Sequence, residues 1–201
     1  MNKTLAISLA VTALLGACAS SGMNGSNIAA HSMPSGTTAA DNTVMVGGAA
    51  MYPTKDIVDN AVNSKDHSTL VAAVKAAGLV DTLKSPGPFT VFAPTNEAFA
   101  ALPPGTVDTL LKPENKPTLT KVLTYHVVPG RIDGAALSRM IAANGGRATL
   151  KTASGGNLYA TSSGSQVMIT DDKGGMAHVS IANVYQSNGV IHVIDKVLLP
   201  G

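Results

Sequence analysis

The chain has 201 residues, 45% of them hydrophobic and 13% charged, a composition that excludes a disordered polymer and fits one folded domain with accessory segments. Its formal net charge is +2, with lysines and arginines scattered singly among acids, so there is no basic stripe to grip a phosphate backbone and no nucleic-acid partner is expected. The single cysteine, Cys18, excludes an intramolecular disulfide.

Residues 1–17 carry Lys3 and then an uncharged run of apolar and small residues, too short to span a bilayer but suited to a secretory signal. The run ends Leu15-Gly16-Ala17-Cys18, which resembles the lipobox of bacterial lipoproteins. That resemblance implies cleavage before Cys18 and acylation of its thiol, so that the protein would sit on a membrane without crossing it. The competing reading takes Ala17-Cys18-Ala19 as an ordinary small-residue cleavage site that releases a soluble product. Residues 18–52, rich in Ser, Gly, Ala, Asn and Thr, read as a flexible tether with a reach of about 30–35 Å. Within it Val44-Met45-Val46 has strand character and offers an alternative, pairing with a sheet edge.

The folded domain is expected over 53–200. A first helix covers 56–62, with Ile57, Ala61 and Val62 on one face and Asp56 and Asp59 near its positive first turn. A second runs over 68–77, with Ser68 as cap and Gly78 as stop, and Leu79–Leu83 adds a turn. Residues 89–93 then alternate apolar side chains on both faces, as a central strand does, until Pro94 ends the run. Thr95 or Asn96 caps the next helix, 96–102, and Glu97 sits in its first turn. Phe89, Phe92 and Phe99 are the chain's only phenylalanines, so the aromatic packing gathers at this strand-to-helix corner. After a short helix at 107–111, another starts at Pro117. Its Leu119, Val122, Leu123 and His126 fall at i, i+3, i+4 and i+7, with Tyr125 beside the last of them.

Val127-Val128 turns extended, Pro129-Gly130 suits a type II turn, and a helix covers 133–143 before Asn144-Gly145-Gly146. Alternating runs at 148–153, 157–161, 166–170, 177–185 and 189–199, separated by Gly, Ser, Asn and Asp, have the spacing of an antiparallel meander. Asn188-Gly189 is the strongest hairpin signal and implies a type I′ turn.

GPFTVFAPTNEAF at 87–99, TYHVVPG at 124–130 and NGVIHVIDKVLLP at 188–200 resemble, in order and spacing, the conserved blocks of the fasciclin (FAS1) domain. The resemblance implies an α+β wedge: a β-sandwich of two packed sheets with several helices on one side. It also implies a non-catalytic extracellular module used for adhesion. The positions that carry it are Phe89, Phe92, Pro94, Thr95 and Asn96 in the first block, Tyr125 and His126 in the second, and Asn188, Gly189, His192 and Asp195 in the last.

A metal or catalytic role for His126 or His192 would need convergent partners, yet the sequence has no HExxH, no Cys cluster, no GxSxG and no P-loop. Each imidazole is expected to be a buried, hydrogen-bonded structural group, bonded to backbone or to a neighbour such as Asp195, and Asp171-Asp172 a solvated turn. The expected protein is a monomeric, non-enzymatic module with no cofactor and no metal, anchored to the bacterial envelope through Cys18 and recognising a protein or polysaccharide surface. A carrier of a small ligand or cofactor, using a cleft near Tyr125 and His126, is the alternative; a hydrolase would require a convergent Ser-His-Asp geometry.

Overall fold

The computed structural model describes residues 43–164 and 166–201. The expected signal peptide, Cys18 and most of the expected tether lie outside the described residues. The last part of that tether does not: β1 (Val44–Val46) and β2 (Ala49–Met51) form an antiparallel hairpin. Gly47 and Gly48 join the two strands with φ of +58° and +74°, the positive pair a type I′ turn demands. Val46 and Met51 are buried, and both backbone polar groups of Tyr52 are held by Asn60. The domain therefore begins before Pro53, because this hairpin buries apolar side chains that a tether would leave in water.

The helical half follows as α1 (Ile57–Ala61), α2 (Ser68–Ala77) and α3 (Val80–Lys84). In α1 the buried residues are Ile57, Val58 and Asn60, whereas Val62, expected inside, is half exposed beyond the helix end. Ser68 is not the cap of α2. A 3₁₀ turn at Lys65–His67 leads into that helix, and Asn96 Oδ1, from across the chain, accepts from the Thr69 N–H at 3.0 Å. Gly78 closes α2 in the left-handed conformation, as expected.

Strand β3 (Phe89–Pro94) then runs into α4 (Asn96–Ala100), capped by the Thr95 side chain, and α5 (Thr106–Leu111) and α6 (Lys116–Tyr125) complete this half. Beyond β4 (Val127–Pro129) and α7 (Gly134–Ala143) come β5 (Arg147–Lys151), β6 (Asn157–Ser163), β7 (Gln166–Thr170), β8 (Met176–Gln186) and β9 (Gly189–Ile194). Strand β9 stops short of the expected 199.

Strands β5 to β9 form the antiparallel meander, and β3 adds to β9 in parallel, giving a seven-stranded order β4-β3-β9-β8-β7-β6-β5. The two layers of the sandwich are parts of this one ladder. β8 pairs with β7 through its first residues and with β9 through the rest, with register shifts between Val179 and Val184, where Asn183 has φ +62°. Asn183 spends its side chain there as well, its Oδ1 accepting from the Gly134 N–H at 2.6 Å.

Period-two alternation on β3 and β9 serves two cores. Val91, Ala93, Ile191 and Val193 face a core roofed by α1, α2, α4 and α6. Phe92 and Ile194 face a second core closed by β5, β6, β7 and the Leu137 and Ile141 side of α7. The outer ends of the ladder approach each other, since the Ala153 N–H just after β5 donates to Val127 O of β4 at 2.7 Å.

The β8–β9 connection is a tight hairpin, but not of type I′: Gln186 pairs with Gly189, and among the described residues Asn183 is the non-glycine with positive φ, so Asn188 does not adopt it. Gly189 is needed for a different reason. A Cβ there would lie 2.1 Å from the Phe89 carbonyl oxygen, which is backbone and cannot swing aside. Gly189→Ala should therefore cost about 2–4 kcal/mol, read from urea midpoints, whereas Ser187→Ala at the exposed neighbouring position should stay within about 0.5 kcal/mol of the parent.

Candidate functional site

Tyr125 and His126 occupy the corner where α6 becomes β4, and both are buried. They point to different places. The Tyr125 hydroxyl donates to Asn157 O at 2.6 Å and accepts from the Asp172 N–H at 3.0 Å, tying the helix end to two turns of the meander. Burial pushes its phenol up to about 12. Its ring lies so close to Gly156 that a Cβ there would meet Cε2 at 2.6 Å.

His126 closes α6. Its Nε2 accepts from the Leu198 N–H at 3.0 Å, so the proton sits on Nδ1, which donates to Val122 O at 2.8 Å. Both ring nitrogens are used, and burial holds the imidazole down at about 4, neutral at ordinary pH. His192 is likewise buried and held below its usual range by burial. Its Nε2–H donates to Ile132 O at 2.8 Å, and its ring stacks on Phe92 at 5.6 Å between centroids. Neither histidine bonds to Asp195, which instead pairs with the exposed His178 at 3.0 Å.

Asn188 joins three segments: Oδ1 accepts from the Ile57 N–H at 3.1 Å, and Nδ2 donates to Leu83 O at 2.7 Å and Ser85 O at 3.3 Å. Asn96, Thr95 and Pro94 shape the turn from β3 into α4, with Pro94 as the buried last strand residue. Other staples use residues that the motif reading did not single out. Thr90 Oγ1 donates to Gly130 O at 2.6 Å and accepts from the Ile132 N–H at 2.8 Å. Asp171, expected in a solvated turn, is buried. Its carboxylate accepts from the N–H groups of Lys173, Gly175 and Leu199, and only Asp172 stays exposed. The Asp-Asp-Lys-Gly-Gly pattern signals that tight turn, but the bond to Leu199 is too distant in sequence to read.

The structure thus brings Tyr125 and His126 together with the carboxy-terminal segment and the meander turns as scaffold, not as a ligand-facing pair. An apolar space lies beside them on the His126 side. A cavity of about 90 Å³ opens between α1, α2, α3, α6 and the β3–β4 pair, bordered by Leu70, Val74, Leu83, Val91, Leu123 and His126. Empty apolar space of this size costs about 2 kcal/mol of stability. Among the described residues no group of His, Cys, Asp and Glu is placed to hold a metal ion.

A family model described as the fasciclin domain matches residues 65–200. The chain belongs to the fasciclin domain family. Protein sll1483 of Synechocystis is 48% identical over 161 residues, 80% of this chain and 82% of its own. Immunogenic protein MPB70 of Mycobacterium bovis is 37% identical, over 70% of this chain and 66% of its own. A solved FAS1 domain pair from the insect cell adhesion molecule fasciclin I superposes with a TM-score of 0.66 at 19% identity, covering 74% of this chain and 52% of that one, which shows the shared fold. The fasciclin domain here is α+β, as its motifs imply.

Because the His126 ring makes both of its bonds to backbone, His126→Ala leaves a void, an unpaired Leu198 N–H and an unpaired Val122 carbonyl. The expected cost is about 2–4 kcal/mol in thermal melts. The pH dependence has a definite sign. The folded-state value near 4 lies below the ordinary 6.5, so the unfolded chain binds more protons between them. This contribution, about 3 kcal/mol, is complete above about pH 6.5 and is lost as pH falls toward about 4. Melts taken across that interval should show the wild type losing stability more steeply than His126→Ala.

Proposed function

We propose that this fasciclin domain is a monomeric, non-enzymatic binding module held at the bacterial envelope by a lipid on Cys18, recognising a protein or polysaccharide surface. The observation that carries it is where the polar side chains of the family blocks go. Tyr125, His126, Asn188 and His192 are all turned inward and joined to backbone groups, so the motif holds the scaffold and recognition falls to the outer surface.

Relatives support the setting. One, of Mycobacterium bovis, is a cell surface glycolipoprotein, 33% identical over 81% of this chain and 68% of its own. Among the described residues no helix is long and apolar enough to cross a membrane. A lipid at Cys18 with residues 19–43 as spacer would hold the domain beside the bilayer, whereas cleavage without acylation would release it as a secreted protein.

Two measurements test this reading. Cys18→Ser should move the protein from the detergent phase to the aqueous phase of a detergent separation, or leave it unprocessed; identical partitioning of wild type and variant into the aqueous phase would sink the anchor. Immobilised protein should retain a saturable partner from envelope proteins or envelope polysaccharides, and retention of neither would sink the recognition.

A further inference from the structure

We propose that the cavity beneath α2 and α3 is a binding site for the alkyl tail of a single-chain anionic amphiphile, a fatty-acid-like carboxylate whose head group rests at Lys75. The site lies inside the domain and does not depend on what the outer surface binds.

The lining sets the chemistry of the tail. It is almost wholly aliphatic and aromatic, and His126, its one imidazole, has both nitrogens committed to backbone partners. A space this apolar gains by taking up hydrocarbon. The lining runs from Phe89 and Val91 on β3 across Val127 on the edge strand β4 to Ala153. Val91 pairs with Val127, and Val127 O accepts from the Ala153 N–H, so the floor is crossed strand by strand, about 10 Å at the usual strand spacing.

The rim sets the head group. The cavity is partly open, and the exposed or half-buried members of its lining include Val71, Lys75, Thr82 and Thr124. Lys75 is the one lysine or arginine among the lining residues, which include no carboxylate. It is in the last turn of α2 and takes part in no ion pair among the described residues. An amphiphile that buries its tail here would bring its head to an uncompensated ammonium, which favours an anion over a cation.

Titration calorimetry of the purified protein with dodecanoate below its micelle concentration tests the proposal, with dodecanol and dodecyltrimethylammonium as neutral and cationic heads on the same tail. Saturable one-site binding of dodecanoate is expected, together with a ligand-dependent rise in Tm. Ala61→Leu and Val71→Phe both place hydrocarbon in the cavity from half-buried positions, and each should weaken dodecanoate at least about tenfold without lowering Tm. Lys75→Glu should weaken dodecanoate about fivefold and leave dodecanol unchanged. No saturable binding, multi-site adsorption of all three amphiphiles, or wild-type affinity in both filled variants would overturn the site. Equal affinity for the anionic and cationic heads would overturn the role of Lys75.

Discussion

β3 and β9 lie side by side and parallel, and at one end of that pair the Phe89 carbonyl oxygen occupies the space where a side chain on residue 189 would begin. With glycine there, the strands close to normal spacing and the register from Phe89↔Gly189 to Pro94↔Ile194 follows. Everything else is hung on this pair. It divides the interior, sending Val91 and Val193 to the helical core and Phe92 and Ile194 to the meander core, so a slip of one residue would exchange the contents of both. Parallel pairing of strands so far apart in sequence also needs other elements to hold their ends together. Asn188 does this at one end, bonding the β8–β9 turn to α1 and to the exit of α3.

Many of the buried polar side chains serve the same purpose. Thr90 fastens β3 to the Gly130–Ile132 loop, His192 fastens β9 to Ile132, Tyr125 fastens α6 to the meander turns, and His126 fastens α6 to Leu198. Each joins a core element to irregular chain whose backbone groups would otherwise be buried without partners, a loss of about 1–3 kcal/mol apiece. A small domain with no disulfide and short helices gains from such cross-ties what its local helix stability does not supply.

Local pattern carried much of this architecture. The corner at Phe89–Phe99, the stripe of α6, the Gly78 stop and the meander all rest on neighbours a few residues away and were legible as periodicity and caps. What escaped depends on partners far along the chain. Asn188-Gly189 has the local chemistry of a type I′ turn, but the Asn188 amide is drawn to residues 57, 83 and 85 and glycine is needed by Phe89, so long-range contacts override the local preference. The I′ chemistry occurs instead at Gly47-Gly48, where flanking strands too short to show a period left the segment reading as tether. At the site, Tyr125 and His126 were legible as a buried corner, but which way each faces depends on Asn157, Asp172 and Leu198. A cavity leaves no pattern at all, because it is defined by atoms that several distant segments fail to supply.

The two cores differ in a way that bears on binding. The meander core is enclosed by a nearly closed ladder whose hydrogen bonds run from strand to strand, and moving one strand would break many at once. The helical core is roofed by elements of five to ten residues joined by short turns. Such helices make most of their hydrogen bonds internally and depend on side-chain packing for their place, with single ties from Asn96 to the start of α2 and from Asn188 to the end of α3, so their middles have fewer bonds to lose than a strand does. The cavity lies under this side, against α2 and α3, while Tyr125 and His126 pin the end of α6 on its far border. The rigid ladder therefore fixes the floor, the pinned helix fixes one wall, and the freedom to admit a guest falls to the helices that carry Val71, Lys75 and Leu83.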